Sequence, residues 1–204
     1  MNIRKSVEYV LAIAGLVLAS GTPLRADSGG PCEDLPSWHQ LQQQLKAAQA
    51  TPNGGFGLNM WATVVNRDGV VCAVAFTGNN RGDQWPGSRV ISAQKANTAN
   101  AFSLPGLALS TANLYSAVQP GGSLYGLQAS NPVDTNAAYG GNASNNGQPN
   151  DFMGGSRIGG VNVFGGGLAL YNSHHVLIAD SGRRRTRFRD EAEHFSLGPG
   201  IAFA

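Results

Sequence analysis

The stretch VVNRDGVVCAVAFTG, residues 64–78, decides the fold. Two runs of apolar and β-branched residues flank Asn66-Arg67-Asp68-Gly69, and Asp-Gly between such runs is a strong signal for the turn of a β-hairpin. In both runs the apolar residues follow one another instead of alternating with polar ones. Strands that are buried on both faces have this pattern. We therefore expect a hairpin with helices on both of its faces.

Helical spacing is found on both sides of this hairpin. Before it, apolar residues in 34–50 recur at intervals of three and four, which predicts an amphipathic helix that begins close to Ser37. After it, residues 88–102 have the same period, with Ser88 as the expected N-cap. The many alanines of this second helix allow another group to approach closely. A shorter helix is predicted within residues 107–118, because a proline bounds that segment on each side.

The second half of the chain is dominated by a long segment of turn-forming residues. Residues 119–160 are rich in Gly, Asn, Ser and Pro and have no sustained periodicity, and structureless loops of this length are uncommon in compact domains. The loop either covers a site, helps to form an oligomer interface, or is a disordered insert. Short β-like runs return over residues 159–180. This order predicts an α+β fold: a mainly antiparallel sheet of about five strands, flanked by helices, with a long Gly/Asn-rich loop.

The distribution of charge argues against a polyanion as the partner. The chain has 14 Lys+Arg and 12 Asp+Glu, but residues 27–182 hold only six of the basic residues and eight of the acidic ones. A nucleic-acid surface needs cations that replace the counterions of the phosphates. A metal site at His174 and His175 is also disfavoured, because neighbouring side chains on a strand point to opposite faces.

The N-terminal segment predicts export. Arg4 and Lys5 precede an apolar run of about ten residues, which is followed by small and turn-forming residues. A membrane-spanning helix needs roughly 20 apolar residues, so we expect a signal peptide over residues 1–26 and no membrane span. Cleavage follows Ala26 or, as a second candidate, Ala19. A buried N-terminal helix is the alternative. The predicted localisation is periplasmic or secreted.

The cysteine content is compatible with this localisation. Cys32 and Cys72 are the two cysteines of the chain, and disulfides persist in oxidising compartments. A pair would tie the N-terminal segment to the sheet, but two free thiols are equally compatible with the sequence. A zinc site needs more ligands than this spacing offers.

Three segments together resemble the GlcG/HbpS-like haem-binding family, whose members have a profilin-like fold. The family pattern is a hairpin with a D-x-x-G turn, a helix carrying K-A-x-T-A, and a late strand that begins with Gly-Gly. The corresponding residues here are Asp68-Gly69, the sequence KANTA at residues 95–99, and Gly159-Gly160. The resemblance runs roughly from residue 31 to 178, within a predicted domain of residues 27–180. The 119–157 loop is an insertion relative to the short members.

The resemblance implies an extracytoplasmic homo-oligomer that binds haem or a similar flat ligand. It places Thr98 at the haem iron, and on the same helix Lys95 could meet a propionate and Phe102 could flank the macrocycle. A neutral hydroxyl is a weak iron ligand beside His, Cys, Met or Tyr. The alternatives therefore stay open: a packed or hydrogen-bonded Thr98, a solvated Lys95 and a core Phe102.

The C-terminal tail, residues 181–204, departs from the family pattern. Five arginines and three acidic residues fall within residues 183–193, where a Gly-Val-Ser-Gly turn and a packing helix are expected. We interpret the tail as a frame-shifted translation. A nucleic-acid or anionic-membrane patch and a solvated helix face are the alternatives. The hypothesis fails if neither other frame of the coding DNA downstream of about Ile178 encodes such a segment.

The function favoured by the sequence is that of an exported haem-binding protein in haem sequestration or sensing. No catalytic constellation is visible, and the glycine pairs precede strands instead of helices, which disfavours a nucleotide site. Two alternatives remain: an oligomeric structural or interaction module, and an enzyme acting on haem or a small organic acid.

Overall fold

The computed structural model describes residues 30–33, 35–52, 56–172, 176–177 and 202–203. Its helices are α1 (Trp38–Ala50), α2 (Ser88–Phe102) and α3 (Thr135–Tyr139), with 3-10 turns at Thr111–Leu114 and Ala143–Asn145. Its strands are β1 (Trp61–Val65), β2 (Val71–Phe76) and β3 (Ala202–Phe203). The signal segment, His174, His175 and the arginine cluster lie outside the described residues. Predictions about them stay predictions.

The hairpin forms as predicted. β1 and β2 pair antiparallel, and Gly69 in the turn has φ +75°, a conformation that glycine adopts without strain. The side chain of Asn66 closes the turn, because its Oδ1 accepts the N–H of Val70 at 2.9 Å. The register shifts between Val64 and Val65 and leaves Cys72 as the extra residue of β2.

Both faces of the hairpin are covered, as the apolar runs indicated. Ala62 and Val64 of β1 face α1, where they pack with Leu41 and Leu45. The opposite face packs against α2. That second cluster contains the following side chains: Trp61, Val65, Val71, Val74, Phe76, Val90, Ala93, Ala96, Ala138, Met153 and Ile158. The three-layer arrangement agrees with the predicted α+β class, and both strand pairs are antiparallel.

Cys32 and Cys72 form a disulfide, which resolves the alternative that the sequence left open. Their Cα atoms lie 5.5 Å apart, a usual separation for such a bridge. The bond fixes the segment before α1 to the bulged position of β2. Export to an oxidising compartment is consistent with this bond.

Both helices that flank the hairpin lie where the sequence predicted them. α1 begins after a capping box, in which the Ser37 hydroxyl accepts the Gln40 N–H and the Gln40 side chain accepts the Ser37 N–H. The predicted N-cap of α2 is wrong by one residue: Gly87 is the N-cap, and Ser88 is the first helical residue. Within 107–118 the structure forms only the 3-10 turn at residues 111–114.

The long loop is ordered over its described length and covers the sheet. It contains α3 and many turns, and Met153 and Ile158 enter the core under α2. Its backbone also covers the outer edge of β2, where Gly155 donates to the Val71 carbonyl and Val71 donates to the Ser156 carbonyl, each at 2.9 Å. These contacts fix the described part of the loop to α2 and to the edge of β2, which disagrees with the alternative of a disordered insert. That the loop covers a site or helps to form an oligomer interface stays a prediction.

The prediction of about five strands is not confirmed. The described part of the chain has three, in the order β2-β1-β3, and residues 158–172 form isolated bridges instead of a regular strand. Gly159, Gly160 and Gly166 have positive φ values, which interrupt extended backbone. The third strand comes from Ala202 and Phe203 of the tail, which pair with β1.

Candidate functional site

The candidate site is built on α2, the helix that carries the K-A-x-T-A sequence. Two of its predicted ligand-binding residues are buried: Lys95 is 7% exposed and Thr98 is fully buried. Phe102, in the last turn, is half-buried. One helix therefore holds all three residues, but only Phe102 has a substantial share of its side chain at the surface.

The hydroxyl of Thr98 already makes two hydrogen bonds. Oγ1 donates to the Gln94 carbonyl at 2.7 Å and accepts the backbone N–H of Asn162 at 2.9 Å. The second bond joins α2 to the segment that begins with Gly159-Gly160. This arrangement corresponds to the alternative in which Thr98 hydrogen-bonds within its helix, extended by one contact to a distant segment. The two bonds use the hydrogen and one of the two lone pairs of the hydroxyl. Because Thr98 is fully buried, an iron could reach its oxygen only if the surrounding segments moved apart.

Lys95 lies where residues 159–167, which we call the glycine-rich segment, pack against α2. A Cβ on Gly167 would lie 2.5 Å from the Lys95 carbonyl oxygen and 2.6 Å from Cγ2 of Thr111, so only glycine fits there. Burial lowers the pKa of the Lys95 ammonium below its usual value of 10.5, because desolvation penalises the charged form. The alternative prediction, that Lys95 is a solvated residue on the helix surface, is therefore wrong.

Further polar side chains of α2 hold neighbouring segments in place. Asn97 Nδ2 donates to the Gly160 carbonyl at 2.8 Å, and Asn100 Nδ2 donates to the Arg67 carbonyl in the hairpin turn at 3.0 Å. Arg67 returns a hydrogen bond to the Asn100 side chain at 2.9 Å. Through Asn97 and Asn100, α2 therefore connects the hairpin turn to the glycine-rich segment.

The sequence analysis missed the ion pair that fixes the long loop to α2. Arg89 binds the Asp151 carboxylate through Nε at 2.8 Å and through Nη2, and it donates from Nη1 to the Ala138 carbonyl at 2.8 Å. Both side chains are almost fully buried. The two residues are 62 positions apart in sequence, so local pattern gave no signal for the pair.

The alanine face of α2 is closed in this chain. Ala93, Ala96 and Ala99 are each at most 3% exposed. A cavity of about 10 Å³ lies beside this face, lined by Val65, Ala96, Asn100, Leu168, Ala169, Leu170 and Leu177. It holds about one water molecule, whereas pockets for drug-sized ligands measure about 300–1,000 Å³. With Lys95 and Thr98 in these buried positions, a haem does not fit between α2 and the segments that pack against it.

The end of α2 is different, because apolar side chains reach the surface there. Leu104 and Leu107 follow Phe102 and are each 54% exposed. A pair of backbone hydrogen bonds joins Leu104 to Leu107, and the hydroxyl of Tyr171 donates to the Leu104 carbonyl at 3.0 Å. We call these four residues the α2-end surface. It is a partly exposed apolar surface at the C-terminal end of α2.

The described residues contain no group of three or more His, Cys, Asp or Glu side chains that could hold a metal ion. Over the same part of the chain, no helix has both the length and the apolar character needed to cross a bilayer.

The chain was compared with family models, curated proteins and solved structures. No family model and no curated protein matches the chain. Among solved structures, the chain is similar to protein ORFY of Klebsiella pneumoniae, a DUF336 protein, which is the GlcG-like family. The two are 25% identical over 67% of this chain and 71% of that chain, with a TM-score of 0.39.

Proposed function

We propose that this protein is an exported haem-binding protein of the GlcG/HbpS type that acts in haem sequestration or sensing. The observation that carries the proposal is the α2-end surface, Phe102, Leu104, Leu107 and Tyr171, because it follows directly on the helix that carries the motif. Apolar and aromatic side chains that line a site, with a few placed polar groups, are typical of small-molecule binding.

The proposal places the macrocycle against Phe102 and not inside the core. A porphyrin is flat and largely apolar, so it gains by covering exposed leucine and phenylalanine surface. Tyr171 adds an aromatic ring at the same place, with its hydroxyl held by the Leu104 carbonyl at 3.0 Å. Contact of Lys95 and Thr98 with haem stays a prediction, and it requires opening the hydrogen bonds that now join α2 to the glycine-rich segment.

Export is part of the proposal. The Cys32–Cys72 disulfide supports it, because such bonds persist in the periplasm and outside the cell and are rare in the cytosol. Mass spectrometry of the protein recovered from a periplasmic or culture fraction should show a new N-terminus after Ala26 or Ala19. Recovery of the uncleaved chain with free thiols would contradict this part.

A second function is favoured by a different observation. Tyr115, Tyr125 and Phe164 are each about two-thirds exposed, and exposed aromatic side chains are enriched at protein interfaces, which favours an oligomeric structural or interaction module. The alanine-rich face of α2, the surface expected from the sequence to serve self-association, is buried within the chain and is not available for it.

Haem titration separates the two functions. Haem added to the exported protein should change its absorption band saturably at one haem per chain, and Phe102→Ala should weaken binding about tenfold, as expected when an aromatic contact is removed. Phe152→Ala is the matched control, because Phe152 is a partly exposed phenylalanine on the long loop that packs against Gly140. An unsaturable change, or equal effects of both variants, would leave the interaction module as the better account.

A further inference from the structure

The long loop contains an asparagine followed by a glycine, Asn146-Gly147. In such a pair the backbone nitrogen of the glycine can attack the asparagine side-chain carbonyl, because glycine has no side chain that hinders the approach. A bond forms between this nitrogen and Cγ, ammonia leaves from Cγ, and a succinimide ring results. Water then opens the ring, so that asparagine becomes aspartate or isoaspartate. Asn146 is therefore a candidate for a covalent modification that needs only water.

The backbone conformation at Asn146 keeps the two reacting atoms apart. Ring closure requires the Gly147 nitrogen to eclipse the Asn146 Cβ about the Cα–C bond, which for an L-residue means a strongly negative ψ. Asn146 has φ −58° and ψ 121°, so the nitrogen is turned away from the carboxamide. The peptide bond between the two residues must rotate before the ring can close.

The contacts of Gly147 oppose this rotation. Its N–H donates to Asp151 Oδ2 at 2.6 Å, and its carbonyl accepts the indole N–H of Trp38 at 2.9 Å. A Cβ at Gly147 would overlap the rings of Phe76 and Trp61, so the glycine is packed directly against the core. Rotation of the peptide therefore breaks two hydrogen bonds and lifts this residue from the core.

We propose that Asn146 is a deamidation site that the Asp151 carboxylate keeps unreactive while the loop is closed. The N–H that Asp151 accepts is the nucleophile of the reaction, and Arg89 holds the carboxylate in place. The ring closes only when the loop opens locally. Isoaspartate adds a methylene to the main chain directly before Gly147, where the core has no room for a Cβ. Deamidation therefore makes the opening of this part of the loop permanent.

The proposal does not rest on haem binding, so its test uses the haem-free, full-length exported chain. The chain is incubated at slightly alkaline pH, and tandem mass spectrometry of its peptides gives the rate at Asn146. Folded wild type should react at least about 100-fold more slowly than the urea-unfolded chain, because reaction needs local opening. Asp151→Ala removes the acceptor without adding an amide and should raise the folded-chain rate at least about tenfold. Trp38→Phe, which removes the other hydrogen bond to Gly147, serves the same purpose if Asp151→Ala does not fold.

Leu45→Ala is the matched control, because Leu45 is buried between α1 and the opposite face of the hairpin. Its truncation lowers the stability of the chain but removes none of the contacts of Gly147. It should leave the folded-chain rate at Asn146 within about threefold of wild type. Reaction of folded wild type at the unfolded rate would overturn the proposal. An unchanged rate in the folded Asp151→Ala chain, or an equal acceleration by Leu45→Ala, would overturn it as well.

Discussion

Replacement of Asp151 by asparagine tests whether the long loop is held by its buried ion pair. The carboxylate accepts hydrogen bonds from Arg89, from the Gly147 N–H at 2.6 Å and from the Met153 N–H at 2.9 Å. In Asp151→Asn an amide group faces the guanidinium, so a donor meets a donor and the buried charge of Arg89 has no counter-charge. Breaking a buried pair from one side destabilises a protein by about 3–5 kcal/mol. For a domain of this size the unfolding midpoint falls by roughly 6–20 °C.

The assay is urea unfolding followed by tryptophan fluorescence, since Trp61 is buried beside this loop. Asp83→Asn is the control, because Asp83 also accepts two backbone N–H groups but is exposed, and its loss should cost less than about 1 kcal/mol. A double variant, Arg89→Met with Asp151→Leu, should lose less stability than the sum of the single changes. A loss below about 1 kcal/mol for Asp151→Asn would refute the reasoning.

Three further changes have expected outcomes. Gly147→Ala should cost about 1–3 kcal/mol more than Gly121→Ala in urea unfolding, because both residues have positive φ but only the first would push a Cβ into the core rings; equal costs would contradict this. Reduction of Cys32–Cys72, which are 40 positions apart, should lower stability by about 4 kcal/mol in the chain-entropy account, and unchanged unfolding after reduction would contradict it. The buried Lys95 has a lowered pKa, so the unfolded chain binds its proton more tightly; wild-type stability relative to Lys95→Met should rise as the pH increases toward 10.5, and a fall would show the opposite shift.

The parts of the fold that follow from local chemistry were predictable from the sequence. The hairpin was found from its Asp-Gly turn and its uninterrupted apolar runs, and α1 from its spacing and its Ser37 cap. In both cases the residues that determine the structure lie within a few positions of one another.

The parts that depend on distant contacts were not predictable. The long loop is ordered by the pairing of Arg89 with Asp151, and composition alone gave no reason to connect them. The β-like runs after Gly160 do not form a regular strand in the described residues, because glycines with positive φ interrupt them. A hydrophobic pattern carries no information about that backbone geometry.

The candidate site shows the same division. The sequence placed Lys95, Thr98 and Phe102 on one helix, which the structure confirms. Their burial depends on a segment more than 60 residues further along the chain, whose Asn162 N–H binds the Thr98 hydroxyl. The surface that follows Phe102 was missed for the same reason, because the contact of Tyr171 with Leu104 spans 67 positions.

The most direct test of this account is hydrogen exchange at the Asn162 amide, measured with and without haem. This N–H is donated to Thr98 Oγ1, so it reports whether the hydroxyl is released to bind iron. The account predicts that Asn162 stays protected when haem binds, while the amides of Leu104 and Leu107 become more protected. Faster exchange at Asn162 on haem binding would contradict it, because the bond between Asn162 and Thr98 would then open when haem binds.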